Sequence, residues 1–315
     1  MTVRFLVTGG AGFIGRALCA RLAEAGAALT VLDDLSTGCT EGLPRGTRLI
    51  RADIRDGAAL QAGLEGASGV FHLAAVSSVV ACQREPTATR GVNLGGLEAL
   101  LARCGAVPVV YTSTAAVYGE QDVLPIPETA APGPISPYAA QKLAGEQALI
   151  EAAARGGRGV CLRLFNVYGP GQSLDAPYAG VVTRFLTAAL AGAALRIDGG
   201  GTQVRDLIHI GDVTGGLMAA MDVARAGAAG LSLTLNICSG RAVTVRDLAR
   251  AAMAAAGRDV PLRHGPRRDG DIARSLGDPA LARDVLRFAA RTPLEDGMAD
   301  LAHHLAERQP RASSG

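Results

Sequence analysis

At 315 residues, with 49% apolar side chains and a formal charge of +2, the chain can bury a large core as one big domain or two smaller ones. The absence of a long Lys/Arg block or a repeated aromatic platform argues against general nucleic-acid binding. Six cysteines, Cys19, Cys39, Cys82, Cys104, Cys161 and Cys238, lie far apart with no CxxC pair. That spacing suggests neither a zinc knuckle nor a disulfide framework, and it fits reduced thiols in a cytoplasmic protein with no metal site.

The chain opens directly on VRFLVTGG, with no basic segment followed by an apolar stretch and a cleavage site. The strand RFLVTGG, a helix from about Phe13 to Ala25, and strands at ALTVLDD and TRLIRAD follow one another. A short helix from about Ala58, the strand GVFHLAA, a helix ending near Arg103 and the strand VPVVYTSTAAV come next. A helix carrying Lys142 and the strand GVCLRLFNVYG complete this half. Short apolar strands alternating with helices predict a Rossmann-like, doubly wound parallel α/β sheet covered on both faces.

After Gly169 the rhythm changes. The Pro/Gly-rich loop PGQSLDAPYAG, a helix near Val181 to Ala191 and the turn-rich GGGTQVRD lead to a strand at LSLTLNIC and helices at VTVRDLARAAMAAA and PLEDGMADLAHHLAER. The expected division is therefore residues 1–169 as the doubly wound domain, with segments near 205–225 returning to it, and 170–315 mainly as a smaller C-terminal lobe, with a cleft between the two where a ligand could sit. The polar tail from about residue 309 is expected to fray. Apolar stretches such as GVVTRFLTAALAG are interrupted and amphipathic, so no membrane association is expected.

VTGGAGFIG sets Gly9, Gly12 and Gly15 between a strand and a helix. Missing side chains there permit a tight turn and bring a pyrophosphate close to a helix N-terminus, whose unpaired N–H groups favour negative charge. Asp33 closes the next strand, where a carboxylate can accept bonds from an adenosine ribose and would repel a 2′-phosphate, which favours NAD over NADP. Asp53, in RADI, is a candidate adenine contact, with plain helix capping as the competing explanation.

Lys142 is the only lysine beside thirty arginines, and it lies four residues after Tyr138 on a helix, so both project from one face. Tyrosine, with an ordinary pKa near 10, is a poor base at neutral pH; an ammonium beside it favours the phenolate. A compact ammonium also reaches a ribose hydroxyl in a way that a planar guanidinium does not. Thr114 follows a parallel strand at its C-terminal edge, where its hydroxyl can donate to a substrate oxygen while Tyr138 carries the proton. No GxSxG surrounds Ser113 or Thr114, and the histidines pair with no acidic or thiol cluster.

The ordered set TGGAGFIG, DDLSTG, HLAA, STAAVYG, Tyr138 with Lys142, RLFNVYGPG, RDLIHIGDV and RRDGDIARSLGD resembles the extended short-chain dehydrogenases, in the NAD-dependent epimerase/dehydratase family of nucleotide sugars. Within it, the chain is similar to the enzymes that epimerise C4 of UDP-sugars. The resemblance implies tightly held NAD, Tyr138 as base, Lys142 as modulator and nicotinamide-ribose ligand, and Thr114 as the hydroxyl contact. It implies further cofactor contacts at Gly9, Gly12, Phe13, Ile14, Asp33, Asp34, Ser36, Thr37, Gly38, Asp53, Ile54, Leu73, Ala74 and Ala75, with Asn93 structural or near the cofactor. On the substrate side it implies Asn166, Arg205 and Arg268 at the diphosphate and ribose, Asp271 orienting the last segment, Val181 in the loop over the sugar, and Ser275 at a position that gates bulk on the sugar. A homodimer through the Tyr/Lys helix is also implied.

Dehydratases of this family carry Asp-Glu after the strand-end threonine, where this chain has Ala115 and Ala116. Reductases of 4-keto sugars keep the same Tyr, Lys and Thr and remain the alternative, while DDLSTG resembles the epimerases that retain NAD. Uronate decarboxylases are disfavoured because Glu120 is misplaced and Gly171 stands where many relatives have Arg. A non-catalytic NAD-binding regulator is a further reading, weakened by the presence of all three catalytic side chains.

Overall fold

The computed structural model describes residues 2–172, 180–267 and 272–308. Part of the PYAGVV loop, Arg268, Asp271 and the tail from 309 lie outside the described residues. Its main element is a seven-stranded sheet in the spatial order β10-β6-β5-β4-β1-β2-β3. These strands are β1 (Arg4–Thr8), β2 (Ala28–Asp33), β3 (Arg48–Arg51), β4 (Gly69–His72), β5 (Val109–Thr114), β6 (Gly159–Leu164) and β10 (Ser232–Ile237). Every neighbouring pair is parallel. Strands β1 to β6 thus follow the doubly wound order in which the sequence of strand addition reverses between β1 and β4, opening a crevice at their C-terminal ends.

Period-two alternation sorts β1 between two cores. Phe5 and Val7 join Leu18 and Leu22 of α1 (Phe13–Glu24) and Val213, Leu217 and Met221 of α8 (Ile210–Ala226). Leu6 faces the other way, toward Leu60 of α2 (Gly57–Leu64), Leu97 and Leu100 of α5 (Gly96–Cys104) and Leu149 of α6 (Pro137–Ala154). Between β4 and α5 run two short helices, α3 (Val79–Arg84) and α4 (Pro86–Arg90), and a π-helical turn at Gly91–Gly95.

Helix α6 is set by local chemistry. Ser136 accepts the Ala139 N–H at 3.2 Å as N-cap, and Pro137 occupies the first turn, where its missing N–H costs nothing. Its buried residues recur at helical spacing, yet Gln141, Lys142 and Glu146 stand among Ala139, Gly145, Leu149 and Ala153. Polar groups in a buried stripe need specific partners.

The second part of the molecule contains β7 (Asn166–Tyr168), β9 (Val204–His209) and β11 (Ala242–Thr244) in one small sheet, and β8 (Leu195–Asp198) with β12 (Leu262–Gly265) in another. Helices α7 (Val181–Leu190), α9 (Val245–Ala256) and α11 (Leu294–Arg308) bury Phe185, Leu186, Leu248, Met298 and Leu301 against them. Strand β10 leaves this region to pair with β6, with Ser232 opposite Gly159, and α10 (Ala280–Leu286) follows it back toward the large sheet. Among the described residues, all six cysteines are free thiols, and no helix is long and apolar enough to cross a membrane.

Candidate active site

Two groups of residues lie at the C-terminal rim of the large sheet, and a third stands on the small sheet. In the first, Gly9 leaves β1 with φ of 69°, a conformation that disfavours a side chain. A Cβ on Gly9 would also come within 2.6 Å of the Ala74 nitrogen, so the ends of β1 and β4 touch through bare backbone. Gly12 then caps α1 with no side-chain hydrogen bond, which leaves its first N–H groups for an incoming anion. Phe13 and Ile14 form the first turn, half-buried.

Asp33 is buried at the end of β2, its carboxylate accepting the Ala11 N–H at 2.9 Å and the Leu35 N–H at 2.9 Å. Each oxygen keeps a lone pair that can accept a hydroxyl. Asp34 takes both the Ser36 N–H, at 2.9 Å, and its hydroxyl, at 2.6 Å, folding the Ser36–Gly38 loop back until the Cys39 N–H reaches the Ala11 carbonyl. Thr37 is exposed on that loop, and Ile54, past β3, is buried against Gly96 of α5. Leu73, Ala74 and Ala75 line the exit of β4, tied by the Leu73 N–H to the Thr8 carbonyl at 3.0 Å. The glycine cradle, uncapped helix and paired carboxylate fit a dinucleotide.

Of the two explanations for Asp53, helix capping is not met. It caps no helix, because Asp56 does that for α2. Instead Arg55 binds it through two side-chain nitrogens at 2.8 and 2.6 Å, and this pairing holds the carboxyl below its usual range.

In the second group, Thr114 ends β5 and accepts the Ala116 N–H at 3.2 Å, so its hydroxyl proton remains to be donated. Tyr138 lies in the first turn of α6 and Lys142 one turn on. Lys142 is only 3% exposed; its Nζ donates to the Thr112 carbonyl at 2.8 Å and lies 4.9 Å above the Tyr111 ring. Gly145 makes this approach possible, since a Cβ there would strike the Tyr111 hydroxyl. Burial lowers the Lys142 ammonium to about 8. Burial, with Cys82 nearby, pushes the Tyr138 phenol well up. In this arrangement the Lys142 ammonium is turned to the Thr112 carbonyl.

His72, stacked on Tyr111 with ring centroids 5.8 Å apart, is held neutral, lowered to about 3 by burial and then by Lys142. Its Nδ1 is 2.9 Å from the Thr8 hydroxyl.

The third group stands on the small sheet. Asn166 opens β7, exposed, and its strand runs parallel to β9, with Asn166 opposite Leu207. Arg205, half-buried on β9, donates to the Val204 carbonyl at 2.8 Å, and the Ser275 N–H reaches the same carbonyl at 3.0 Å. Asn166 and Arg205 thus stand on neighbouring strands, Ser275 is tied to β9 through its backbone, and Val181 is half-buried at the start of α7. Asp206 anchors the assembly from beneath by accepting the Ser239, Gly240 and Gly277 N–H groups. Ala115 and Ala116 open the 3₁₀ turn after β5 and bring no carboxylate to the site.

Some contributors carry no motif. Arg16 on α1 donates to the Gly171 carbonyl at 2.9 Å, joining the cofactor cradle to the second part of the chain. Asn93, in the π turn, accepts the Val76 N–H at 2.7 Å and donates to Gln141 at 2.7 Å, while Gln141 donates to Pro86 and Thr89. This amide chain fixes the segment after β4 to α6. In sequence, the resemblance implies Asn93 as structural or near the cofactor, whereas Gln141 is marked only by its position next to Lys142.

A glycine cradle with a ribose-facing carboxylate, beside a Tyr–Lys helix and a strand-end hydroxyl, defines a nicotinamide-dependent enzyme of the short-chain dehydrogenase type. Comparison with known proteins agrees: the model of the NAD dependent epimerase/dehydratase family matches residues 5–238. The chain belongs to that family. It is 35% identical to a UDP-glucose 4-epimerase of Azospirillum brasilense over 94% of this chain and 89% of that one. Among solved structures, it matches UDP-glucose 4-epimerase with UDP-glucose from Thermotoga maritima with a TM-score of 0.92 and 34% identity, covering 97% of this chain and 99% of the other. It matches a UDP-N-acetylglucosamine 4-epimerase from Methanobrevibacter ruminantium, in complex with UDP-N-acetylmuramic acid, with a TM-score of 0.92 and 30% identity, covering 98% and 100%.

Proposed function

We infer that the protein inverts C4 of a UDP-sugar through a transient 4-keto form, using NAD. The observation that carries this reading is the packing of α6, with Tyr138 and Lys142 in its first two turns, against β5, which ends in Thr114 and is followed by Ala115 and Ala116 with no second acid or base. Without such a carboxylate, removal of water from the sugar has no proton carrier there. The likeness to UDP-sugar epimerases over nearly the whole chain supports the same substrate class.

NAD, when bound, supplies the reversible hydride acceptor. The chain's own work is proton transfer and positioning. Tyr138 takes the proton of the sugar 4-hydroxyl at its phenolate oxygen and returns it in the reverse half of the cycle. Lys142 has one of three N–H donors on Thr112 and two left to turn toward a ribose hydroxyl and the tyrosine oxygen. Thr114 donates to the sugar oxygen. Gly9, Gly12, Phe13, Ile14, Asp33, Asp34, Ser36, Thr37, Gly38, Asp53, Ile54 and Leu73 to Ala75 hold the cofactor in this proposal. Asn166, Val181, Arg205, Arg268, Asp271 and Ser275 hold the nucleotide-sugar.

The division into residues 1–169, with segments near 205–225 returning to it, and 170–315 as mainly the nucleotide-sugar lobe, a cytoplasmic location and a homodimer through α6 belong to the same reading. Size-exclusion chromatography with light scattering tests the last; a monomer overturns it. Ser275 leaves room for an N-acetyl group, so Ser275→Tyr is expected to lower kcat/KM for a UDP-N-acetylhexosamine by at least about tenfold relative to the plain hexose. Equal losses on both sugars would remove Ser275 from the specificity role.

The decisive assay supplies UDP-sugars to the purified protein without added cofactor, after a denatured sample has been checked for released NAD. A C4 epimer with no net NADH is the expected product. Turnover only with stoichiometric NAD(P)H would assign the protein to the 4-keto reductases.

A further inference from the structure

Helix α6 buries two charges, and the chemistry described so far uses one. Glu146 lies one turn beyond Lys142, and its carboxylate is gripped by Arg163 of β6, Nε to Oε1 at 3.0 Å and Nη2 to Oε2 at 2.6 Å, with side-chain exposures of 5% and 7%. Ser113, the residue before Thr114, donates its hydroxyl to Glu146 Oε1 at 2.5 Å. Lys142 meanwhile donates to the carbonyl of Thr112. Two successive residues of β5 are therefore bonded to two successive turns of α6, next to Thr114 at the end of the strand and one to two turns from Tyr138 at the start of the helix.

Arg163 has its own supports: its guanidinium lies 4.7 Å from the Tyr118 ring, and Nη1 donates to the Glu128 carbonyl at 3.3 Å. A buried ion pair is a poor way to gain stability, because apolar residues of similar volume usually hold a helix to a strand as well or better. Its advantage is direction, since a bidentate pair fixes the carboxylate's angle and the carboxylate fixes the serine. We propose that the Glu146–Arg163 pair, acting through Ser113, is the positioning device that sets the Tyr138–Lys142 helix in register with Thr114. The inference rests on the site assignment above.

Ser113→Ala removes the link without unpairing the ions, and it is expected to lower kcat about tenfold with KM and melting temperature near wild type. Glu146→Gln is expected to lower kcat further and to shift the alkaline limb of its pH profile to lower pH, because Lys142 loses its neighbouring counter-charge. The groups facing Lys142 are Tyr138 and Glu146 on α6, Tyr111 on β5, Cys161 on β6, His72 on β4 and Cys82 on α3.

If that variant folds poorly, Glu146→Leu with Arg163→Met removes both charges; it is expected to regain stability and leave kcat low. Wild-type kcat in the double variant, or in Ser113→Ala, reduces the pair to scaffolding and overturns the proposal. Tyr138→Phe serves as the control. Full turnover in it would overturn the site assignment itself, whereas its inactivity beside an unimpaired Ser113→Ala would overturn only the positioning role.

Discussion

The two ends of the same sheet rim are built from different materials. At the β1–β2 end, main chain does the work: Gly9 at positive φ, an uncapped helix start at Gly12, and Asp33 already satisfied by two N–H groups. At the β5–α6 end, side chains are buried with their charges displaced, Lys142 lowered to about 8, His72 to about 3 and Tyr138 raised. A cradle for an anion needs fixed dipoles, which backbone provides without desolvating an ion. Proton transfer needs a group able to change charge, and such a group is only useful where water does not buffer it. The difference teaches that one end is designed for holding and the other for chemistry, so mutations should separate the two.

The sharpest separation is Tyr138→Phe. Turnover is expected to drop by about a thousandfold, the size of a lost general base, with released NAD per subunit unchanged. Parallel loss of NAD would merge the two ends. Lys142→Arg keeps a positive charge but puts a wide planar group where Tyr111 and the Gly145 backbone leave room for a narrow one. A loss of more than about tenfold in turnover is expected, again with NAD retained, and wild-type turnover would end the role given to Lys142. Gly9→Ala attacks the other end: its Cβ would meet Ala74 backbone, which cannot rotate away. Released NAD should fall severalfold in this variant, while the reaction rate per bound cofactor falls less.

This contrast also explains what sequence reveals. The cradle was legible because backbone recognition demands glycine at Gly9, Gly12 and Gly15, and a residue type dictated by sterics survives any composition. Tyr138 and Lys142 were legible because their four-residue spacing fixes a common face, and because a solitary lysine among arginines marks a need for its shape. Their burial was not legible. Glu146 and Gln141 read as ordinary polar positions until β6 and the π turn arrive opposite them, and those contacts span 17 and 48 residues of sequence. The pairing of β10 with β6 was illegible for the same reason: an apolar strand does not name its neighbour. Arg55 shows the opposite case, two residues from Asp53 and close enough to be suspected, yet its grip depends on a turn geometry that spacing alone does not specify.

The smallest expected effect concerns stability. In the fold, Lys142 loses its proton at about 8, against 10.5 for an exposed lysine, so the folded state carries its ammonium at a cost below pH 8. Lys142→Met removes that cost and fills similar volume, and the inactive variant is therefore expected to melt a few degrees above wild type at pH 7, both compared after removal of NAD. Between about pH 8 and 10.5 the unfolded wild-type chain binds the proton that the folded one has released, so wild-type stability rises with pH across this window relative to the variant. The gap should accordingly be widest below pH 8 and close toward 10.5. A gap that stays constant with pH, or a variant less stable at pH 7, would show that the catalytic end stores no desolvation in Lys142 and would erase the physical distinction between it and the cradle.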